Sequence, residues 1–442
     1  MERRLLAELD LWKTRPNRKP LLLRGARQVG KSYLVREFGR ARFPDFLELN
    51  FEMNPELSSI FAKNLEPERL LRDLGIFSGH RIEREKTLLF FDEIQACPSA
   101  LLSLRYFFEK MPELPVIAAG SLIDFALEQV GLPVGRVETA YLYPMSFDEF
   151  LAAAGETLLL TLLRDHDPRE ELPEVAHRRL IDLLGQYFAV GGLPEAIRVW
   201  LDTQDLDQVQ TVHRTLVESY RADFARYARR SQLKYLERVF NAVPRMLARK
   251  WVHAQVDPDA KSRDLKAAFE LLEKARVIQS VCHTGANGLP LGAELNEKYF
   301  KTIFLDIALA QTVLGLPKGD WVLDPARLLI NQGPLTEAFV GQELLAHGDP
   351  GRQQQLYCWS REKAGSQAEV DYVTEIGRQV VPIEVKSGPR GRLKSLEILL
   401  AEKPHIPFGI HLSPDNFNHA ERVRGYPLYA VGKLAREPGC SA

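Results

Sequence analysis

The 442-residue chain carries 58 Lys plus Arg against 59 Asp plus Glu, a formal net charge of −1. That balance excludes a uniformly basic nucleic-acid coat or a polyacidic tail, though not a local basic face. At 45% hydrophobic and 26% charged, the composition is that of a soluble globular chain of about three domains. Cys97, Cys282, Cys358 and Cys440 lie far apart, forming neither a zinc pattern nor a disulfide framework. No apolar run approaches the ~20 residues of a spanning helix. The expectation is a cytoplasmic protein with no membrane contact.

The first 150 residues alternate short apolar runs with helical patterns. PLLLR (20–24), FLELN (46–50), TLLFFD (87–92), PVIAA (115–119) and VETAYLY (137–143) read as five strands with crossover helices, a three-layer α/β domain. Residues 151–240 are helical, broken by the turn GGLP at 191–194. Within 241–324, DPDAKS reads as a turn and N-cap. RDLKAAFELLEKARVIQSV then carries a helix into β-rich sequence, the order of a winged helix-turn-helix. In the last stretch, 325–442, a helix at 334–346 precedes extended runs at 354–360, 369–374 and 379–386, a separate α/β domain.

GARQVGKS (25–32) fits G-x-x-x-x-G-K-[ST] between a strand and a helix, the context the motif requires. Gly25 and Gly30 let the backbone curl, so that the N–H groups of Ala26, Arg27, Gln28, Val29 and their neighbours through Tyr33 face phosphate oxygens. Lys31 is expected on the β- and γ-phosphates of ATP, and Ser32 on Mg²⁺. Sixty residues beyond Ser32, TLLFFDEIQ ends a buried strand with two acids. Asp92 is the expected Mg²⁺ partner and Glu93 the general base, the order of a hydrolase. Ser121, after the next strand, falls beside the γ-phosphate if that strand lies between the other two; otherwise it only begins a helix.

GARQVGKS, LLFFDEIQ, GRVETAYLYPMSFDEFL and GGLPEA, in that order, resemble the bacterial and archaeal AAA-type ATPases fused to a C-terminal domain of unknown function. The resemblance implies a P-loop AAA-type core (1–150), a helical lid with linker helices (151–240), a winged-helix-like segment (241–324) and a restriction-endonuclease-like α/β domain (325–442). Ring ATPases of this kind place an arginine before the fifth strand to complete a neighbouring subunit's site; Arg136 holds that position here. A homo-oligomeric ring, a hexamer among the sizes, is implied with it.

Near the C-terminus, Glu337 lies on the first turns of a helix, and Asp371, Glu384 and Lys386 match D-x₁₂-E-x-K on two adjacent strands. Alternation puts Glu384 and Lys386 on one side. This is the PD-(D/E)XK nuclease arrangement, and Glu337 in G-x-x-x-E resembles the junction-resolvase variant. Asp371 and Glu384 are the expected Mg²⁺ ligands, Lys386 would activate a water, and Glu337 would complete the shell. E-x-K by itself also describes a solvated strand face.

Between 244 and 276 stand eight basic residues (Arg245, Arg249, Lys250, Lys261, Arg263, Lys266, Lys274, Arg276) against five acids. Lys261, Arg263 and Lys266 open the expected recognition helix, where phosphate and base contacts are made; a solvated protein-binding face is the alternative. Arg390, Arg392 and Lys394 form a second basic cluster. The leading expectation is an ATP-hydrolysing protein acting on DNA, branched DNA included, by binding, remodelling or translocation. The alternatives are an ATP-gated metal-dependent nuclease and a nucleotide-dependent switch that binds protein partners.

Overall fold

Five runs of apolar residues become the strands β1 (Leu21–Arg24), β2 (Asp45–Asn50), β3 (Thr87–Asp92), β4 (Val116–Ala119) and β5 (Glu138–Tyr141). The computed structural model describes residues 1–131, 135–361, 368–386, 393–420 and 422–434. In it the five strands form one parallel sheet in the order β2-β3-β4-β1-β5. Every residue of β3 and β4 is buried, which is why these runs show no alternation of apolar and polar residues.

Helices α1 (Leu5–Thr14), α2 (Lys31–Arg42), α3 (Leu57–Lys63), α4 (Pro67–Ser78), α5 (Pro98–Lys110) and α6 (Ile123–Val130) accompany the sheet. Leu22, Leu89 and Phe91 pack on Leu57, Phe61, Leu70, Leu74, Leu104 and Phe107 in one core. Trp12 of α1 meets Phe38 of α2 with ring centroids 6.5 Å apart. β4 lies between β1 and β3. The C-terminal ends of these three neighbouring strands therefore deliver the phosphate loop, Ser121 and Asp92 to one edge.

The chain divides into two compact units, one of Glu2–Tyr143 with Asp349–Gln353, the other of Pro144–Gly348 and the residues from Gln354 onward. The first unit ends at Tyr143. Ser146 already caps the following helix, Phe147–Ala153, in a reciprocal capping box with Glu149. Phe147 and Phe150 are core residues that meet the Tyr187 ring edge-on. GGLP serves architecture too. Asp306, fully buried, accepts from the backbone N–H groups of Gly192, Ala308 and Leu309, and a Cβ on Gly191 would run into its carboxylate.

The second unit holds an eight-stranded sheet in the order β12-β13-β11-β10-β9-β8-β6-β7. Its strands are β6 (Ile278–Thr284), β7 (Leu295–Phe304), β8 (Leu356–Ser360), β9 (Glu369–Ile376), β10 (Gln379–Val385), β11 (Gly409–Ser413), β12 (Asn418–His419) and β13 (Val423–Pro427). The sheet draws strands from both sides of residue 324. The antiparallel hairpin β6–β7, read from sequence as the end of a winged-helix segment, adds in parallel to β8. The inner half of β7 is buried. Helix α7 (Ser262–Lys274) leads into the hairpin and α8 (Gly333–His347) packs on β7, β8 and β10, and Gly341 lets the Tyr372 hydroxyl and Ile303 approach.

No helix among the described residues is long and apolar enough to cross a membrane. Cys97, Cys282 and Cys358 carry free thiols; Cys440 lies outside the described residues.

Candidate nucleotide site and carboxylate cluster

Gly25 tolerates no side chain because a Cβ would strike the Leu142 carbonyl. Gly30, at φ 92°, takes the left-handed turn that starts α2. The Lys31 side chain is 6% exposed, and its ammonium donates to the carbonyls of Gly25 (3.1 Å) and Ala26 (2.7 Å). Val29 is fully buried, whereas Tyr33 stays half exposed on the first turn of α2.

Strand order brings Ser32 to Asp92: the Ser32 hydroxyl donates to Asp92 Oδ1 at 2.8 Å. Asp92 Oδ2 accepts from Asn50 Nδ2 at 3.1 Å, a contact fixed by the parallel register that sets Asn50 beside Asp92. Arg36 clamps Glu48 through two hydrogen bonds and lies 3.8 Å from Asp92. Burial pushes the Asp92 carboxyl above the ordinary carboxylate range, against the pull of the Ser32 hydrogen bond. A hydroxyl beside a buried carboxylate is an oxygen-donor set that suits Mg²⁺. The residues fit that ion.

Glu93 adopts a left-handed backbone (φ 49°), uncommon for a glutamate, and ends β3 directly after Asp92. Its carboxylate accepts from Gln95 Nε2 at 2.6 Å. The Gln95 amide is packed so closely on Gly120 that a Cβ there would collide with it. Ser121 is buried just beyond, at the end of β4, with β4 between β1 and β3. Arg136 is not drawn to these groups: its Nε donates to Glu109 at the end of α5, at 2.8 Å.

Asn50, Gln95, the Arg36–Glu48 pair and Arg3 are not evident in the sequence motifs. Asn50 had a signal, since strands running level end in polar residues at one height. Arg3 had none, because MERR reads as a solvated basic end. Yet Arg3 is buried and donates to the carbonyls of Val29 in the loop (2.7 Å) and Tyr143 after β5 (2.7 Å).

In the second unit, Glu337, Asp371, Glu384 and Lys386 come together around a residue that sequence reading missed. Lys301 of β7 is 1% exposed, with its ammonium 2.6 Å from Glu337, 2.9 Å from Glu369 and 3.5 Å from Asp371. Asp371 Oδ2 also accepts the N–H of Val385 at 2.8 Å. Lys386 Nζ lies 2.5 Å from Glu384 Oε1, the same-side placement expected for E-x-K. The other Glu384 oxygen is buried with no hydrogen-bond partner.

Burial, reinforced by Asp371, pushes Glu337 up to about 8 and Glu384 up to about 7. Burial alone would pull Lys301 down, but Glu337, Asp371 and Glu369 hold it well above the ordinary lysine value. Among the described residues, no group of three or more His, Cys, Asp or Glu is placed to hold a metal ion.

On α7, Leu265, Ala268, Phe269 and Leu272 face the core. Arg263 (85% exposed) and Lys266 (68% exposed) remain on the outside with Lys261, the N-cap residue. Arg390 and Arg392 lie outside the described residues, and Lys394 begins the helix Lys394–Glu402.

The chain matches an AAA domain over residues 17–151 and two domains of unknown function, DUF8612 over 181–320 and DUF4143 over 332–430. No curated protein matches it in sequence. Among solved structures it is similar to the Walker-type ATPase PABY2304 of Pyrococcus abyssi, at 17% identity and TM-score 0.43, over 70% of this chain and 93% of that one. It is also similar to PCH-2 of C. elegans, at 13% identity and TM-score 0.28, over 44% and 58% of the two chains. A third similarity is to the Aeropyrum pernix ORC1 protein in complex with DNA, at 11% identity and TM-score 0.28, over 72% and 92%. Residues 17–151 are an AAA domain built on a parallel five-stranded P-loop sheet, and two domains of unknown function follow it.

Proposed function

We propose that the chain hydrolyses ATP at the loop 25–32 and uses that turnover to act on DNA through its C-terminal half. The observation that supports hydrolysis is the meeting of Ser32 with buried Asp92 at 2.8 Å beside the loop that carries Lys31. Backbone N–H groups of 25–33 orient the phosphates and Lys31 neutralises the β/γ charge. Mg²⁺, held by Ser32 and Asp92, would supply charge neutralisation between the phosphates. Glu93 orients the attacking water and takes its proton, and Ser121 lies near the γ-phosphate. Arg136, an exposed residue paired only with a surface acid in the contacts described, is free to serve a neighbouring copy in a ring.

Two variants test this reading. Lys31→Ala should lose ATP turnover by about 100- to 1,000-fold, the scale for removing a charge-stabilising donor. Glu93→Gln should bind ATP and hold it, since the amide keeps the shape but takes no proton. Near-normal turnover in both would end the assignment.

The DNA reading is supported by the exposed basic start of α7, in a helix-to-hairpin order that suits a winged helix. A switch that binds protein partners would use the same face without salt-dependent DNA affinity. An ATP-gated nuclease would need a metal at Asp371 and Glu384, and Lys301 works against it.

A further inference from the structure

We infer that Lys301 is a built-in cation standing where a divalent metal was expected, so that Glu337, Glu369, Asp371 and Glu384 form a closed polar network without metal-dependent cleavage. Most of the carboxylate oxygens already have partners within the protein. Glu337 Oε1 and Glu369 Oε1 accept from Lys301. Glu369 Oε2 accepts from the Tyr299 hydroxyl at 2.8 Å. Asp371 offers one oxygen to the Val385 N–H and turns the other toward Lys301. Glu384 Oε1 belongs to Lys386.

Glu384 Oε2 is buried with no hydrogen-bond partner. Mg²⁺ demands near-octahedral oxygen ligation and keeps several waters, whereas an almost fully buried ammonium already sits within 3.5 Å of three of the carboxylates. A cation bound there would have to displace or repel it. The residues do not fit the metal.

The ammonium also ties separate elements together. Lys301 comes from β7, Glu337 from α8, and Glu369 and Asp371 from β9. Tyr372 of β9 adds a hydroxyl donated to the Glu337 carbonyl at 2.8 Å. A residue from the hairpin thereby supplies the charge for carboxylates from the helix and sheet beyond it. On this view the nuclease-like strands persist for binding or architecture.

The inference does not rest on ATP turnover, and its test reads bound metal rather than ATP hydrolysed, so either can fail alone. Mn²⁺ binding to the full-length, nucleotide-free chain is followed by electron paramagnetic resonance in wild type and in Asp371→Asn. Equal stoichiometry in the two is expected. One additional Mn²⁺ in wild type, lost in Asp371→Asn, overturns the inference, and so does Mn²⁺-dependent nicking of supercoiled DNA that Asp371→Asn abolishes. Lys301→Met should open the place to Mn²⁺, giving one more bound ion that the double variant with Asp371→Asn lacks. A Lys301→Met chain folded by circular dichroism that binds no further Mn²⁺ also overturns it. If that variant does not fold, the comparison of wild type with Asp371→Asn decides.

Discussion

Arg3 and Lys31 both donate hydrogen bonds to carbonyls of the phosphate loop. Removing Arg3 leaves the carbonyls of Val29 and Tyr143 without its two hydrogen bonds in a buried setting. Hydrogen bonds from a charged donor contribute about 1.5–3 kcal/mol each. Arg3→Met should therefore lower stability by roughly 3–6 kcal/mol in urea unfolding and raise KM for ATP more than it lowers kcat, because it loosens the loop without touching the reacting groups. Lys318 offers a second test at this scale. It is buried, with Nζ 2.7 Å from His213 Nδ1 and 2.7 Å from the Thr312 hydroxyl, and burial pulls its amine down to about 7. An unfolded lysine titrates near 10.4. Between those values the unfolded chain binds more protons, so stability rises with pH and the cost of burying the ammonium is relieved. Measured against Lys318→Met, wild type should gain stability from pH 7 to pH 10; a constant difference would mean that Lys318 is not buried as the free amine.

At the scale of elements, the strands were the most legible part of the sequence. β1 to β5 fall within a residue or two of their apolar runs, because a strand buried on both faces leaves an uninterrupted signal. The phosphate loop, Asp92 and Glu93 were legible because their spacing is set by one strand and one turn. Asn50 and Gln95 were not, since their roles depend on which strand lies alongside. Lys301 was hidden more deeply: in KYFKTIF it looks like one more charge on a hairpin, and only the addition of that hairpin to β8 carries it to Glu337 and Asp371. Helix α7 yields a prediction of its own. If Lys261, Arg263 and Lys266 each neutralise a phosphate, replacing all three with Ala should reduce the slope of log affinity against log salt by about 2.7. Fluorescence anisotropy with duplex and branched DNA measures it. An unchanged slope would move the contact elsewhere, and no salt-dependent binding at all would favour the protein-partner switch.

For the whole molecule, the question is whether copies complete one another's sites. Arg136 and Glu109 form an exposed pair, and exposed pairs are weak, at about 0–1 kcal/mol, so Arg136 is released at little cost. If it acts in trans, ATPase activity per chain should rise with protein concentration. Mixing Arg136→Ala chains with Glu93→Gln chains should restore part of it, because some interfaces then hold both intact groups. Absence of rescue with assembly preserved, checked by light scattering, would place Arg136 outside catalysis.

The pairing of β6 with β8 also bears on how this protein is dissected. The two domains of unknown function end and begin at residues 320 and 332, yet the strands on either side of that gap share one ladder, Val281 beside Leu356 and His283 beside Cys358. A fragment starting at 332 would strip β8 of its neighbour and offer an open row of N–H and C=O groups to other chains, the usual route to edge-to-edge aggregation. It would also leave Glu337, Glu369 and Asp371 without their ammonium. The two named domains share one sheet, β6 and β7 from the first and β8 to β13 from the second.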